Sequence, residues 1–295
     1  MSNFMVRQFY QQRREFEQTY CERNACLPPE GIRLSADIPY LPDGLAAHRL
    51  DVLAPAQLDA PAPIVVNVHG GGLIMGSKEF NRPFCAGLAA EGFVVFDVEY
   101  RLLPDVNSFD QFQDVLDALH FICAHGGEYG GDTSRLFLCG DSAGAFLLTY
   151  VTAMQSSPEM AKAAHVRMGD ALPICGLGLV SGMFYSRKLD KIGLFMPKYI
   201  YSTLPEYKGF RPYSNPEHPA VCAALPPCYL VTSQEDFLKG YTLGFAAVLK
   251  RRNRPYQLTC FPKGNGLTHA FSAFEPERPE SRQVIREMAA FFKSL

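Results

Sequence analysis

The chain has no excess of charge of one sign. Its 295 residues contain 28 Lys and Arg against 30 Asp and Glu, which gives a formal net charge of -2. Proteins whose main partner is nucleic acid or an anionic membrane surface need a basic excess, because that partner is itself strongly negative. The near balance of charges therefore predicts that neither nucleic acid nor a membrane surface is the main partner.

Long apolar runs are also missing. No segment reaches the roughly 18 consecutive apolar residues that a membrane-spanning helix needs. The opening sequence MSNFMVRQ lacks the apolar centre of a secretory signal peptide. We therefore expect no membrane span and a cytoplasmic location.

Cysteine patterns typical of metal sites and disulfide frameworks are absent as well. The nine cysteines are odd in number, scattered and never spaced as CxxC. Zinc sites and disulfide frameworks both need tighter grouping. We therefore predict reduced thiols with structural roles and no metal site.

What the sequence does contain, from residue 48 or so onward, is an alternation of two kinds of segment. Short apolar runs are typical of strands covered on both faces, and apolar residues at helical spacing are typical of helices. Strands that alternate with helices predict an α/β fold, with a mostly parallel sheet between helices. The predicted strands lie at 49–53, 64–68, 93–98, 135–139, 177–180, 228–232 and 256–260, and the predicted helices at 109–125, 143–154, 241–250 and 282–292.

Two stretches do not follow this alternation. Residues 1–30 predict an amphipathic helix that ends before Pro28 and Pro29, and residues 183–225 are rich in aromatic residues and proline. A connection this long inside a compact domain is commonly functional. We interpret residues 1–45 and 183–225 as a cap over the strand ends, and residues 46–182 and 226–295 as the core. An ordinary helical insertion is the alternative.

The segment Gly140-Asp141-Ser142-Ala143-Gly144 lies between a predicted strand and a predicted helix. A nucleophilic serine on a sharp strand-to-helix turn needs small neighbours on both sides, because the backbone folds back on itself there. Gly140 and Gly144 provide that room. The pattern predicts an accessible Ser142 hydroxyl, with the amide of Ala143 beside it at the start of the helix.

A serine hydroxyl needs a base to take its proton and an acid to orient that base. In folds with such a turn, the chain order is serine, then acid, then histidine. Asp236 follows a predicted strand, and His269 is the only histidine after it. The sequence therefore predicts Ser142, Asp236 and His269 as catalytic residues. Glu235 is an alternative acid because it adjoins Asp236, and a surface-loop role is the alternative for His269.

The segment His69-Gly70-Gly71-Gly72 directly follows the predicted strand at 64–68. Adjacent glycines can direct free backbone N–H groups at the negative charge that develops during acyl transfer. We predict Gly71, Gly72 and Ala143 as the donors of an oxyanion hole, and His69 as a brace for the loop. A phosphate-binding loop is the alternative, but the spacing GxxxxGK[ST] or GxGxxG is absent.

Together these segments resemble the hormone-sensitive-lipase group of α/β-hydrolases, a branch of carboxylesterases. The resemblance extends over residues 60–275 and also includes EYRLLP at 99–104, DTSR at 132–135, TSQEDFL at 232–238 and HAF at 269–271. It implies an α/β-hydrolase fold with an eight-stranded sheet, flanking helices and a helical cap. It further implies an ester substrate, with Ser142 as nucleophile, His269 as base and Asp236 as the residue that orients it.

The predicted function is that of a serine carboxylesterase that hydrolyses short-chain acyl esters without metal or cofactor. A deacetylase of acetylated sugars or aryl amides would use the same three residues. A ligand-binding relative without activity is an alternative from another class, and a serine peptidase with a similar core is a third. Exposed strand edges would allow a homodimer.

Overall fold

Eight strands form the centre of the structure, a computed structural model that describes residues 3–201 and 205–295. In chain order they are β1 (Ile32–Pro39), β2 (Arg49–Pro55), β3 (Ala62–Val68), β4 (Val94–Val98), β5 (Gly131–Asp141), β6 (Ile174–Val180), β7 (Cys228–Ser233) and β8 (Tyr256–Phe261). They form a single sheet in the order β1-β2-β4-β3-β5-β6-β7-β8. Strand β2 is antiparallel to β1 and β4, and all other neighbours are parallel. The predicted mostly parallel, eight-stranded sheet is confirmed.

Helices fill the connections between the strands. They are α1 (Asn3–Thr19), α2 (Cys21–Asn24), α3 (Lys78–Ala90), α4 (Ser108–His125), α5 (Ala143–Met154), α6 (Pro158–Ala163), α7 (Lys191–Phe195), α8 (Pro197–Ile200), α9 (Pro205–Phe210), α10 (Pro219–Cys222), α11 (Lys239–Arg251), α12 (Phe271–Phe274) and α13 (Pro279–Lys293). Short 3-10 turns lie at Ala46–His48, Gly126–Tyr129 and Arg211–Ser214. Within residues 3–201 and 205–295, every helix is too short or too polar to span a lipid bilayer.

Both faces of the sheet are covered, and alternate residues of the central strands belong to different cores. In β3, Ile64 and Val66 belong to the buried cluster that includes residues of α4, α5 and α11, whereas Val65 belongs to the cluster that includes residues of α3 and α13. All three side chains are fully buried. Burial on both faces requires a continuous apolar run, which is why the sequence pattern locates this strand.

The position of the edge strand β1 corrects the predicted domain boundary. Residues 32–39 fall within the segment 1–45 that the sequence assigns to the cap, yet they pair with β2 in the sheet. Each side chain of β1 is exposed or half-buried, and the pairing register shifts between Ser35 and Ile38. This exposed edge needs no continuous apolar run. Strand β1 is therefore part of the sheet.

Helix α1 contacts both the core and the segment 183–225. The ring of Phe9 packs edge-on against the ring of Tyr199 in α8, with centroids 4.9 Å apart. Arg13 forms an ion pair with Asp105 of the core at 2.9 Å. The N-terminal helix is thereby fixed in place from two sides. The interpretation of these two segments as a cap stays a prediction.

All nine cysteines are free thiols in the structure. Cys85, Cys139, Cys222 and Cys228 are buried. Burial raises the pKa of the Cys139 thiol well above its ordinary value, with the nearby Asp97 carboxylate adding to the effect. A thiol that does not ionise is a poor nucleophile and a poor metal ligand. Cys139 therefore acts as a small apolar residue.

The turn between β5 and α5 touches the end of β3, backbone against backbone. A Cβ atom at Gly144 would lie 1.9 Å from the carbonyl oxygen of Val68, and one at Gly140 would lie 2.6 Å from the same oxygen. Both distances are below 3.0 Å, a separation that real Cβ atoms essentially never go under. These two glycines therefore allow the turn to approach β3.

We predict that Gly144→Ala lowers the free energy of unfolding by at least about 2 kcal/mol, because the new methyl group overlaps the Val68 carbonyl and the backbone must move. Gly240→Ala is the matched control, since a Cβ atom there meets nothing within 4 Å. This substitution should leave the free energy of unfolding unchanged or raise it by up to about 1 kcal/mol, because alanine is a better helix former than glycine. Denaturant unfolding measures both, and equal effects would contradict the close approach.

Candidate active site

Ser142 occupies the turn between β5 and α5 in a backbone conformation that is rare for a residue with a side chain. Its φ is +48° and its ψ is -108°. Two hydrogen bonds hold it there: its N–H donates to the Val180 carbonyl and its carbonyl accepts from the Met183 N–H, both at 2.9 Å. Such strain costs on the order of 1–3 kcal/mol and persists where the surroundings impose it.

His269 lies between Ser142 and Asp236. Its Nε2 atom is 2.9 Å from Ser142 Oγ, and its Nδ1 atom is 2.8 Å from Asp236 Oδ1. The next residue, Ala270, has a φ of +52° and donates its N–H to Ser181 Oγ at 3.1 Å. This anchored backbone fixes the imidazole. The structure therefore brings together a hydroxyl, an imidazole and a carboxylate that are far apart in the sequence.

The Asp236 carboxylate is buried and fully hydrogen-bonded. Besides His269, Oδ1 accepts from the Leu238 N–H at 2.8 Å and Oδ2 accepts from Thr232 Oγ1 at 3.0 Å. Burial by itself would raise the pKa of Asp236, but the hydrogen bond and the charge of His269 outweigh it, and the pKa lies below its usual value. The ionised carboxylate accepts the Nδ1 proton of His269. The Nε2 lone pair is then free to accept the Ser142 proton.

Glu235, the alternative acid, contacts the backbone that precedes His269 instead of the imidazole. Its Oε2 atom accepts from the N–H groups of Gly264 at 3.2 Å and Leu267 at 3.3 Å. Partial desolvation would raise the pKa of Glu235, and these backbone donors lower it below its usual value. Of the two neighbouring acids, Asp236 is therefore the one placed to orient His269, and Glu235 holds the loop.

The glycine loop after β3 presents backbone amides beside Ser142. Gly71 and Gly72 have φ values of +99° and +62°, and a Cβ atom at Gly71 would lie 2.0 Å from the Met75 carbonyl oxygen. Their N–H groups find no acceptor among the described residues. The Ala143 N–H opens α5, a position without an intrahelical acceptor. These three amides are thus available to an oxyanion.

The residue before the serine joins the glycine loop to the serine turn. Asp141 Oδ1 accepts from the Gly70 N–H at 3.0 Å and from the side-chain amide of Asn81 at 2.9 Å. All three residues are buried. Sequence reasoning did not find this connection. The sequence did contain a signal for it. Asp141 lies between Gly140 and Ser142 in the predicted turn, and a carboxylate that is buried there cannot serve apolar packing.

His69 braces the same loop and does not contact Ser142. Its Nε2 atom lies 2.9 Å from Glu99 Oε1, its Nδ1 atom lies 2.9 Å from the Gly70 carbonyl oxygen, and its ring stacks on Tyr100 at 4.3 Å. Burial would lower the pKa of His69, but the Glu99 carboxylate raises it above its usual value. The contacts of both ring nitrogens, to Glu99 and to the Gly70 carbonyl, hold the loop in place.

A cavity of about 300 Å³ opens beside Ser142. It is lined by Ser142, His269, Gly71 and Gly72 together with a wall that is almost entirely apolar. The apolar lining residues are Ile74, Met75, Met183, Ile192, Met196, Phe237, Leu238 and Phe274. Met183, Ile192 and Met196 come from the segment 183–225 and the others from the rest of the chain, so both parts enclose the cavity. Uncharged, apolar groups fit such a wall.

The arrangement suits acyl transfer. Such a hydroxyl can attack a carbonyl carbon while the imidazole takes its proton, and free backbone amides nearby can bind the oxygen that becomes negative. In the described part of the chain, no three His, Cys, Asp or Glu side chains are grouped so as to hold a metal ion.

Comparisons with known proteins are consistent with this geometry. A family model described as alpha/beta hydrolase fold matches residues 65–273. A probable isoprenylcysteine alpha-carbonyl methylesterase of Oryza sativa subsp. japonica is 28% identical over 233 residues, which cover 75% of this chain and 55% of that protein. Lipase 2 of Moraxella sp. is 24% identical, over 77% of this chain and 59% of its own length. The chain therefore spans little more than half the length of these relatives.

Solved structures show the same likeness. The structure of esterase B of Lactobacillus rhamnosis with a tributyrin phosphonate inhibitor superposes with a TM-score of 0.90. The two chains are 25% identical, and the match covers 100% of this chain and 96% of the other.

We predict that Asp236→Asn slows the covalent reaction of Ser142 with a fluorophosphonate by about 10³–10⁴-fold, because an amide cannot hold His269 in the tautomer that accepts the serine proton. Glu235→Gln is the matched control at the neighbouring position. It should slow labelling by less than about tenfold, since Glu235 bonds only to backbone N–H groups. Labelling reactions that are stopped at a series of times measure both rates. A larger loss in Glu235→Gln would show that Glu235 is the orienting acid.

Proposed function

The chain belongs to the α/β-hydrolase-fold family, and on this basis we propose that it is a serine carboxylesterase that acts through an acyl-enzyme on Ser142. The observation that supports this most directly is the pair of contacts from His269, to Ser142 Oγ at 2.9 Å and to Asp236 Oδ1 at 2.8 Å. The matched relatives, a probable methylesterase, a lipase and an esterase, are also named as carboxylic ester hydrolases.

The proposed reaction has two halves. Ser142 Oγ attacks the ester carbonyl carbon as its proton passes to His269 Nε2, and the carbonyl oxygen becomes an oxyanion held by the N–H groups of Gly71, Gly72 and Ala143. The carbon–oxygen bond to the alcohol then breaks, and His269 gives its proton to the leaving oxygen. Water, activated by His269, hydrolyses the acyl-enzyme. Each oxyanion donor contributes about 3 kcal/mol to lowering the barrier.

The apolar cavity favours short, uncharged acyl groups. Its volume of about 300 Å³ lies at the small end of ligand pockets, which run from roughly 300 to 1,000 Å³. A sugar would place hydroxyl groups against this wall without hydrogen-bond partners, and this would weaken its binding. Short-chain apolar esters are therefore favoured over acetylated sugars, with aryl amides as a second candidate. A ligand-binding protein without activity is less well supported, because His269 already contacts Ser142.

We further propose that helices α1 and α2 and the segment 183–225 form a cap and that the remaining residues, including β1, form the hydrolase core. Ile192 and Met196 support this division, since they line the cavity that holds Ser142. Strands β1 and β8 are the two edges of the sheet. A homodimer through either edge and a cytoplasmic location stay predictions.

We predict that Ser142→Ala lowers kcat/KM for p-nitrophenyl acetate by at least about 10⁴-fold, because no nucleophile remains to form the acyl-enzyme. Unchanged thermal unfolding of the variant would show that the fold is intact. Undiminished turnover in a folded variant would contradict the proposed function.

We predict that p-nitrophenyl esters with acetyl to hexanoyl chains are the best substrates, and that kcat/KM falls at least roughly tenfold for dodecanoyl and longer chains, which this cavity cannot enclose. A steady-state series over acyl length measures this. A kcat/KM that keeps rising to the longest chains would contradict the assignment of short acyl groups.

A further inference from the structure

Phe237 is a large apolar side chain that is exposed at the mouth of the active-site cavity. It is 73% exposed, although it directly follows the buried Asp236. Its ring lies over the imidazole of His269, with ring centroids 4.4 Å apart and planes inclined by 46°. It lines the same cavity as Ser142 and His269. An aromatic ring in this position gains little by folding alone, and it becomes buried once an apolar group occupies the mouth.

The backbone holds Phe237 in this exposed position. On one side Asp236 is fixed by His269, and on the other the Leu238 N–H donates to Asp236 Oδ1 at 2.8 Å. The Lys239 N–H donates to the Asp236 carbonyl at 3.1 Å. Both neighbours are thus anchored to the same carboxylate, and this holds the backbone of Phe237 in place beside His269.

The chemistry of the proposed reaction decides which half of the ester meets this ring. His269 Nε2 must give its proton to the oxygen of the departing alcohol, so the alcohol lies against the imidazole. The carbonyl oxygen lies on the other side, at the amides of Gly71 and Gly72. A ring that packs on the imidazole therefore borders the alcohol and not the acyl group.

We propose that Phe237 is a specificity-determining residue that binds the alcohol half of the ester and selects aryl and other bulky apolar alcohols over small ones. This inference rests on the proposed esterase function and adds to it the class of leaving group. Stacked or edge-on contact between Phe237 and an aryl alcohol stabilises the transition state of acylation. The following hydrolysis is unaffected, because the alcohol has already left.

The test compares Phe237→Ala and Phe237→Leu with wild type on two ester series. In the first, acetate is joined to methyl, ethyl, phenyl and naphthyl alcohols. In the second, phenol is joined to acyl groups of rising length. We expect Phe237→Ala to lower kcat/KM for naphthyl acetate roughly tenfold more than for methyl acetate. Comparison with wild type on the same ester cancels the intrinsic reactivity of each leaving group.

Three further results are expected. Where deacylation limits turnover, kcat should stay the same for all acetates, since they share one acyl-enzyme. The order of preference over acyl length should not change. Phe237→Leu should retain part of the selectivity, because leucine keeps apolar area but no ring. Phe4→Ala is the control, since Phe4 is also aromatic and is 67% exposed, but it does not line the cavity.

An equal fall for all alcohols, a change that follows acyl length, or unchanged alcohol selectivity would each overturn the inference and leave the esterase function standing. A wild-type protein that hydrolyses no ester would overturn both. Thermal unfolding of each variant shows whether a loss of activity comes from a loss of folded protein. Replacement of an exposed side chain should leave the fold intact.

Discussion

The site depends on a contact between two backbones with no side chain between them. The turn that carries Ser142 lies so close to the end of β3 that a Cβ atom at Gly144 would be 1.9 Å from the Val68 carbonyl oxygen. This approach places the glycine loop directly beside the serine, and the bond from the Gly70 N–H to Asp141 Oδ1 joins the two. Ser142 and the amides are therefore set in one unit before any substrate binds, which is the condition for strong electrostatic stabilisation.

The parallel sheet brings the remaining groups to the same place. Ser142 follows β5, Asp236 follows β7 and His269 follows β8, and the carboxyl ends of parallel strands meet at one edge of the sheet. Residues 127 positions apart can thus share a hydrogen bond. The segment 183–225 contributes apolar wall residues instead of reacting groups. The reacting groups and part of the cavity wall consequently come from different parts of the chain.

The sequence predicts features that follow from composition along a segment, and it misses those that follow from contact in space. Buried strands such as β3 need continuous apolar runs, and chain order left His269 as the only base after Asp236. Strand β1 is exposed at the edge, so it carries no such run. Asp236 and Glu235 are adjacent acids, and only the folded loop shows that one meets the imidazole and the other the backbone. The position of Phe237 over His269 is likewise a property of the fold.

The central claim is that Ser142 becomes covalently acylated during turnover. Rapid acid quenching of a reaction with p-nitrophenyl acetate, followed by peptide mass mapping, tests it most directly. The account predicts a burst of nitrophenol equal to the enzyme concentration and an acetyl group on the peptide that contains Ser142. Steady hydrolysis with an acetyl group on another residue would contradict it.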